Sequence, residues 1–272
     1  MVILSGFADE ISTDLEVQIR TLAEENIRRL ELRGVGEKNV LDFAGQDRQD
    51  IKRRLDDAGI KASCIGSPIG KVRIDEPWPA HLERFKVALD MAGFFEAPYL
   101  RVFSFYPLAG GRIADHRDEV LRRLTEFQGL AEDRVRILHE NEKDIYGENA
   151  EACADIAANV PGMKLIFDPA NFVQAGVDTL AAWALLKPHV AYFHIKDALL
   201  GSGKVVLPGK GDGHVPEILR DAIARQGFGG FLSLEPHLAA AGQFAGFSGP
   251  ELFKKAAQSL KKILDNLGVE YQ

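Results

Sequence analysis

The stretch FHIKDA, residues 193–198, places three titratable side chains where a predicted strand ends. The run HVAYF at 189–193 is mostly apolar, which is typical of a buried strand. His194, Lys196 and Asp197 then follow within four residues. A single buried histidine is ordinary, but an imidazole, an ammonium and a carboxylate at one strand end indicate a functional site.

Carboxylates stand at the ends of three other predicted strands. These are Glu140 in LHENE, Asp168 in FDPAN and Glu235 in LEPH. Three carboxylates brought together with His194 cannot all stay ionised without a counter-charge, and a divalent cation would supply it. An oxygen-rich set of ligands with one imidazole suits Mn²⁺, Mg²⁺ or Co²⁺, with Zn²⁺ as a further option. The pattern therefore predicts one divalent metal ion held by these four side chains.

Each of these residues also has an ordinary structural interpretation. A histidine at a strand end is often a hydrogen-bonded structural residue, and a glutamate there could form an ion pair with Arg33 or Arg101. Asp168, which precedes Pro169, could cap a helix. Because four such residues end four consecutive predicted strands, we prefer one metal site to four separate structural roles.

These strand ends need a scaffold, and short apolar runs alternate with helical patterns along the whole chain. Helical spacing is clear in DLEVQIRTLAEEN, where Leu15, Ile19 and Leu22 share one face. Strands that are separated by helices run parallel. The eight predicted strands are 2–8, 28–34, 60–66, 99–105, 135–140, 164–168, 190–196 and 230–235.

Eight strand–helix units in 272 residues predict a (β/α)8 TIM barrel, a fold of ~250 residues. An open doubly wound sheet is the alternative, but it usually has fewer strands and often a GxGxxG turn after the first, where this chain has GFADEIS. Side-chain alternation places Leu138 inside the barrel with Glu140. It places four other apolar residues against the helices: Leu165, Phe167, Leu232 and Leu234.

The composition limits the classes of partner. The chain has a net charge of −7, which gives no general attraction to nucleic acid or to an anionic membrane surface. The two cysteines, Cys64 and Cys153, form no disulfide framework, and a reducing, cytoplasmic location is the simplest expectation. No apolar stretch approaches the ~20 residues that span a bilayer. Since no linker or change of composition divides the sequence, we predict one domain over residues 1–272.

Five motifs together resemble those of a known superfamily. They are HENEKDIYG (139–147), FDPANF (167–172), FHIKDA (193–198), PGKGDG (208–213) and LSLEPH (232–237). On these motifs the sequence resembles the xylose isomerase-like barrel superfamily, and within it the sugar phosphate isomerase/epimerase group, over essentially its whole length. The resemblance implies a single divalent metal ion held by Glu140, Asp168, His194 and Glu235.

The resemblance also implies an activity: isomerisation or epimerisation of a sugar or sugar phosphate, by proton transfer beside a carbonyl. Dehydratases of inosose or dehydroshikimate share the scaffold and are the first alternative. A nuclease similar to endonuclease IV is the second, but it needs histidines where strands 2 and 3 end in LELRG and SCIGSP. Asp212 and His214 match only the spacing of its third zinc site. A barrel that kept the fold and lost catalysis is a further alternative, and a homo-oligomer is left open.

In this chemistry Glu140 and Glu235 would be acid and base as well as metal ligands, and the second nitrogen of His194 needs a partner that the sequence does not identify. Lys196 and Asp197 are expected at the rim or on the substrate. Substrate contacts are predicted for Arg101, Glu142, Asn171, Lys196 and His237, with ion pairs and rim hydrogen bonds as alternatives.

Two loops and three histidines complete the expectations. The loop 201–214 could bind phosphate with backbone N–H groups or simply be mobile. The loop 237–249 contains Gly242, Gly246 and Gly249 and could close over the substrate. The remaining histidines that we interpret as surface or helix-end residues are His81, His116 and His189.

Overall fold

Eight parallel strands form one sheet in the computed structural model, which describes residues 1–241 and 246–272. The strands are β1 (Ile3–Gly6), β2 (Arg29–Leu32), β3 (Lys61–Ile65), β4 (Tyr99–Val102), β5 (Arg136–Glu140), β6 (Lys164–Phe167), β7 (Val190–Ile195) and β8 (Phe231–Leu234). Each strand from β2 to β7 pairs with the next one along the chain, and β8 pairs with β1. A parallel bridge between Phe7 and Glu31 nearly closes the ring. The predicted (β/α)8 barrel is confirmed, and each predicted strand contains an observed one.

A helix follows every strand, as parallel pairing requires. The helices are α1 (Leu15–Glu24), α2 (Gly45–Asp57), α3 (Trp78–Phe94), α4 (Arg117–Ala131), α5 (Ala150–Asn159), α6 (Pro169–Gln174), α7 (Thr179–Leu186), α8 (Val215–Arg220), which continues as the π-helical turn Asp221–Arg225, and α9 (Pro250–Asn266). Short 3₁₀ turns lie at Ala8–Glu10, Val40–Asp42, Ile113–His116 and Tyr146–Glu148. Antiparallel pairs in the loops are Gly34–Val35 with Lys38–Asn39, Asp197–Ala198 with Val205–Val206, and Ala240–Ala241 with Gly246–Phe247. Gly242 of the predicted lid lies outside the described residues.

The last helix shows how the sequence builds the outer layer. α9 begins with Pro250 in its first turn, directly after Gly249, whose φ of 76° suits glycine. Its apolar residues recur every three or four positions, so that one face of the helix is buried. Those buried residues are Phe253, Ala256, Ala257, Leu260 and Leu264.

The predicted alternation of side chains along the strands is confirmed. Leu138 lies inside the barrel in a small cluster with Cys64, Ile166 and Tyr192. The four residues predicted to face the helices belong to the large outer core: Leu165, Phe167, Leu232 and Leu234. Because alternate residues of β5 to β8 take opposite faces, the polar residues that end these strands are directed to the barrel axis.

Hydroxyl groups fill part of the barrel interior below the strand ends. Ser63 Oγ lies 2.6 Å from Ser5 Oγ and 2.9 Å from the Tyr192 hydroxyl, and it donates to the Leu30 carbonyl at 3.0 Å. These groups are buried and satisfy one another, as buried polar groups must. None of the helices in the described part of the chain has the length and apolar character needed to cross a membrane.

Candidate functional site

The ends of β5 to β8 bring together the four side chains that the sequence grouped. Glu140, Asp168, His194 and Glu235 each offer one ligand atom, and these atoms lie within 4.8 Å of one another. His194 Nδ1 is 3.0 Å from Glu140 Oε1, 3.5 Å from Glu235 Oε2 and 4.0 Å from Asp168 Oδ2. All four residues are buried, so their charges are poorly screened by water. We call these four residues the acidic cluster.

The donor set of the acidic cluster fits a divalent ion. Asp168 Oδ1 accepts a hydrogen bond from the Asn171 N–H at 3.0 Å and so caps α6, whereas its buried Oδ2 accepts no hydrogen bond of good geometry. The capping role and the cluster role are therefore combined in one carboxylate. Three carboxylates and one imidazole are donors that Mg²⁺, Mn²⁺, Co²⁺ and Zn²⁺ accept in proteins. The acidic cluster could hold a metal ion.

His194 has the second partner that the sequence did not identify. Its Nε2 lies 3.1 Å from Glu31 Oε2, and Glu31 is fully buried at the end of β2. This contact directs Nδ1 toward the cluster carboxylates, as a carboxylate behind a metal-binding histidine does. Burial alone would lower the pKa of His194, but Glu140 and Glu31 raise it well above its usual value. The only sequence signal was the inward register of Glu31 on β2.

An arginine holds each of the two glutamates. Arg101 Nη1 donates to Glu140 Oε2 at 2.9 Å, and Arg33 Nη1 donates to Glu235 Oε1 at 3.1 Å. The ion pairs considered as alternatives are therefore present together with the acidic cluster. Burial would raise the pKa of Glu140, but His194 and Arg101 lower it to about 2. Burial would also raise the pKa of Glu235, but Lys196 and His237 lower it well below its usual value.

Lys196 lies inside the acidic cluster and not at its rim. Its Nζ is 2.8 Å from Asp168 Oδ2 and 3.1 Å from Glu235 Oε2, and the side chain is buried. Burial raises the pKa of Asp168 to about 6, because Lys196 only partly offsets it and Glu235 and Glu140 add to it. In this structure the ammonium is thus a direct neighbour of two of the cluster carboxylates.

A cleft of about 450 Å³ opens above the acidic cluster. Of the residues predicted to contact substrate, four line this cleft: Arg101, Glu142, Lys196 and His237. Glu142 pairs with Lys71 at 2.8 Å. Asn171 is not among the lining residues; its Nδ2 donates to the Asn141 carbonyl at 2.9 Å and to Glu140 Oε1 at 3.3 Å. Asn171 therefore supports Glu140 from below.

His237 links the acidic cluster to the first strand–helix unit. Its Nε2 lies 3.0 Å from Glu10 Oε1 and 3.4 Å from Glu235 Oε1. Burial lowers the pKa of His237, but Glu235 and Glu10 raise it to about 9. The imidazole is therefore protonated at neutral pH. Glu10 was not singled out in the sequence, because it lies in a loop more than two hundred residues from His237 along the chain.

Asp197 has a structural role that corrects two expectations. Its carboxylate accepts hydrogen bonds from the backbone N–H groups of Gly209, Gly211 and Gly213 at 2.8–2.9 Å, and from that of Ala198 at 2.9 Å. Asp197 is therefore neither at the rim nor available to substrate. Three N–H groups of the loop 201–214, which we considered for phosphate, already donate to this carboxylate. A Cβ atom at Gly211 or Gly213 would collide with it, which explains the repeated glycines of the PGKGDG motif.

The trinuclear nuclease arrangement has no counterpart in the described residues. The ends of β2 and β3 carry no histidine. Asp212 accepts a hydrogen bond from the Leu200 N–H at 2.7 Å, and His214 Nδ1 lies 2.9 Å from Thr179 Oγ1, so both have structural partners outside the acidic cluster. Across residues 1–241 and 246–272, the one other acidic group with metal-like spacing shares Glu235 and adds Glu10 and His237.

The protein is a TIM barrel with a candidate metal site at the C-terminal ends of its strands. Sequence comparison identifies the family. The chain belongs to the xylose isomerase-like TIM barrel family, whose profile matches residues 19–263. No curated protein sequence gave a significant match.

Solved structures show the same fold at low sequence identity. A D-tagatose 3-epimerase-like protein superposes with a TM-score of 0.78 at 15% identity, covering 98% of both chains. The probable 3-DHS dehydratase AsbF of Bacillus anthracis gives 0.76 at 16% identity, covering 96% of this chain and 99% of that one. A xylose isomerase-like TIM barrel protein of Mycobacterium smegmatis, in complex with magnesium, gives 0.72 at 15%, covering 98% and 97%. At these identities the likeness establishes the fold alone.

Proposed function

We propose that the protein is a metal-dependent isomerase or epimerase that acts on a keto sugar or keto sugar phosphate by proton transfer beside the carbonyl group. The observation that carries this proposal is the placement of Glu140 and Glu235. Both contact His194 Nδ1, at 3.0 and 3.5 Å, both line the cleft, and they come from β5 and β8. Two ionised carboxylates at one cleft floor suit the removal and return of a carbon-bound proton.

The metal would be held by Glu140, Asp168, His194 and Glu235, and Glu31 would orient His194. When bound, such an ion polarises a substrate carbonyl and makes the neighbouring C–H bond more acidic. That help is needed here, because a low pKa makes a carboxylate a weak base. The oxygen-rich donor set favours Mn²⁺, Mg²⁺ or Co²⁺, with Zn²⁺ as the remaining option.

The glutamates and arginines of the chain would then have separate roles in the reaction. One glutamate takes the proton from one face of the carbon, and the other returns a proton to the opposite face, which inverts the centre. Arg101 and Arg33 each fix one oxygen of a glutamate, at 2.9 and 3.1 Å, and so set the direction of its other oxygen. The cleft of about 450 Å³ has the size of a small-molecule site.

Dehydration of a cyclic keto polyol is a second candidate, and His237 is the observation that favours it. Loss of water needs a proton for the departing hydroxide as well as a base for the C–H bond. His237 lines the cleft beside Glu235, and Glu235 and Glu10 outweigh burial to raise its pKa to about 9. A protonated imidazole in this place could supply that proton.

Exchange of a carbon-bound proton with solvent tests the proposal directly. A panel of ketoses, ketose phosphates and inososes is incubated with the metal-loaded protein in deuterated water, and products are read by NMR and mass spectrometry. We expect an isomer or epimer that carries deuterium next to the carbonyl. Loss of water would select the dehydratase. No exchange and no product from any member of the panel, in protein shown to contain the metal, would count against both candidates.

A further inference from the structure

The position of Lys196 is not explained by a role at the rim of the cleft. Its ammonium lies 2.8 Å from Asp168 Oδ2 and 3.1 Å from Glu235 Oε2. These are the same oxygens whose distances to His194 Nδ1 are 4.0 and 3.5 Å. Lys196 therefore contacts, from the cleft side, two of the atoms that would bind a cation.

Charge explains why an ammonium is stable in this place. The three cluster carboxylates are buried close together, and buried like charges need a compensating cation. Arg101 contacts Glu140, and Arg33 contacts the Oε1 atom of Glu235. Oε2 of Glu235 and Oδ2 of Asp168 lie closer to another cation than to His194 Nδ1. In this structure that cation is Lys196.

We propose that Lys196 is the internal counter-cation of the acidic cluster, and that its ammonium and a divalent ion compete for Asp168 Oδ2 and Glu235 Oε2. The inference rests on the proposed function in one respect, that the acidic cluster binds a metal. Lys196 also lines the cleft, and its four-carbon stem is flexible. Entry of the ion would move the ammonium toward the cleft, where a substrate oxygen would receive it.

The alternative role predicts the opposite sign. If Lys196 only supported the carboxylates as ligands, removing its charge would loosen their arrangement and weaken metal binding. If it competes with the ion, removing its charge would leave Asp168 Oδ2 and Glu235 Oε2 without their closest cation and strengthen metal binding. Metal affinity without substrate therefore separates the two roles, and it does not depend on which reaction the protein performs.

The experiment compares Lys196→Met with the wild-type protein. Mn²⁺ affinity is measured by competition with a chromogenic chelator, and thermal unfolding is followed with chelator and with Mn²⁺. We expect the variant to bind Mn²⁺ about tenfold or more tightly, because a unit charge within hydrogen-bonding distance has been removed. We also expect a lower unfolding temperature with chelator and a larger rise when Mn²⁺ is added.

Lys71→Met is the matched control. Lys71 lines the same cleft but pairs with Glu142, outside the acidic cluster, so its loss should change Mn²⁺ affinity by less than about threefold. Lys196→Gln, which keeps a hydrogen-bond donor without the charge, replaces the methionine variant if that protein does not fold. The same gain in affinity is expected from it.

Two results would overturn the inference, and one of them would leave the proposed function intact. If the wild-type protein binds Mn²⁺ and Lys196→Met or Lys196→Gln binds it with equal or lower affinity, Lys196 is no competitor and the metal site stands. If the wild-type protein and both variants fail to bind Mn²⁺, Mg²⁺, Co²⁺ or Zn²⁺, the acidic cluster is no metal site and the proposed function falls with the inference.

Discussion

The two halves of the barrel contribute to the site in different ways. Strands β5 to β8 supply all four members of the acidic cluster, one from each strand end. Strands β1 to β4 and their loops supply the side chains that hold this cluster in place: Glu10, Glu31, Arg33 and Arg101. We call the first half of the chain the supporting half, because it orients the cluster and supplies both arginines. We call the second half the cluster half, because it would bind and react.

This division shows how a barrel can separate chemistry from support. Glu31 of the supporting half would influence the chemistry only through a residue of the cluster half, His194, which it contacts at 3.1 Å. Substitutions in the cluster half should therefore affect turnover most. Substitutions in the supporting half should affect metal affinity and stability, with smaller changes.

The largest expected effect comes from the cluster half. We expect Glu235→Gln to lower turnover by about 10²- to 10⁴-fold, the range for loss of a general acid or base. Turnover on the substrate found by the deuterium experiment is the measurement, and the metal content of the variant is determined alongside it. Full turnover with full metal content would show that Glu235 is not an acid or base and would remove the functional contrast between the halves.

The cluster half also contains a purely structural carboxylate. We expect Asp197→Ala to lower the free energy of unfolding by about 2 to 4 kcal/mol, because it leaves four buried or part-buried backbone N–H groups without their charged acceptor. Urea denaturation measures this, with the exposed Asp144→Asn as control. A change below ~0.5 kcal/mol would mean that water replaces the carboxylate in the loop.

In the supporting half, Glu31→Gln tests whether orientation of His194 matters. We expect metal affinity to fall by about 10- to 100-fold, as for other partners of metal-binding histidines. Titration calorimetry with Mn²⁺ measures the effect. Glu25→Gln is the control, since Glu25 is also buried but pairs with Lys261. Equal affinity of Glu31→Gln and wild type would show that the two halves are not coupled through this contact.

The smallest expected effect concerns a histidine of the supporting half that lies outside the acidic cluster. The sequence suggested that His81 was a surface or helix-end residue, but it is buried, and its Nε2 accepts a hydrogen bond from the Gly70 N–H at 3.0 Å. Burial, together with Arg123 and Arg84, lowers its pKa to about 4. The imidazole must be neutral in the fold, and protonation would break the hydrogen bond.

Because this folded pKa lies below the usual value of about 6.5, the stabilising contribution of His81 is present above pH 6.5 and is lost as pH falls toward 4. We expect the wild-type protein to lose about 2 kcal/mol more of its unfolding free energy than His81→Gln between pH 7 and pH 4.5. Denaturation in urea at both values measures it. Parallel losses in the two proteins would place the pKa of His81 near its usual value.

Sequence reasoning located the cluster half far better than the supporting half. Glu140, Asp168, His194 and Glu235 were found because strand ends share one face of a barrel, which needs only the order of elements. The ion pairs with Arg33 and Arg101 were named as alternatives, but the partners of the two histidines were not found in this way. Glu31 contacts His194 across 163 positions of sequence, and Glu10 contacts His237 across 227, only because β1 and β2 close the ring beside β8. Such contacts depend on rotamers and closure, which local patterns do not encode.

The prediction for the loop 201–214, which binds Asp197, was incomplete for a different reason. Glycine-rich turns after a barrel strand are typical of anion binding, and this loop does bind an anion. The pattern could not reveal that the anion is a side chain of the same protein, Asp197, which directly follows Lys196 in the sequence. The composition of the loop suggested anion binding as one of two alternatives, and it did not reveal which anion is bound.

The carboxylate of Asp197 occupies a position in which a glycine-rich loop could otherwise bind a phosphate group. Its two oxygens take the places that phosphoryl oxygens would take against the N–H groups of Gly209, Gly211 and Gly213. These three N–H groups are therefore not available to a substrate phosphate while Asp197 is ionised. If the substrate is a sugar, as proposed, a phosphate group on it would have to be recognised by cations that line the cleft, among them Lys38 and Lys71. A change of substrate in this scaffold would then begin in the loops after β2 and β3, while the glycine loop stays the same.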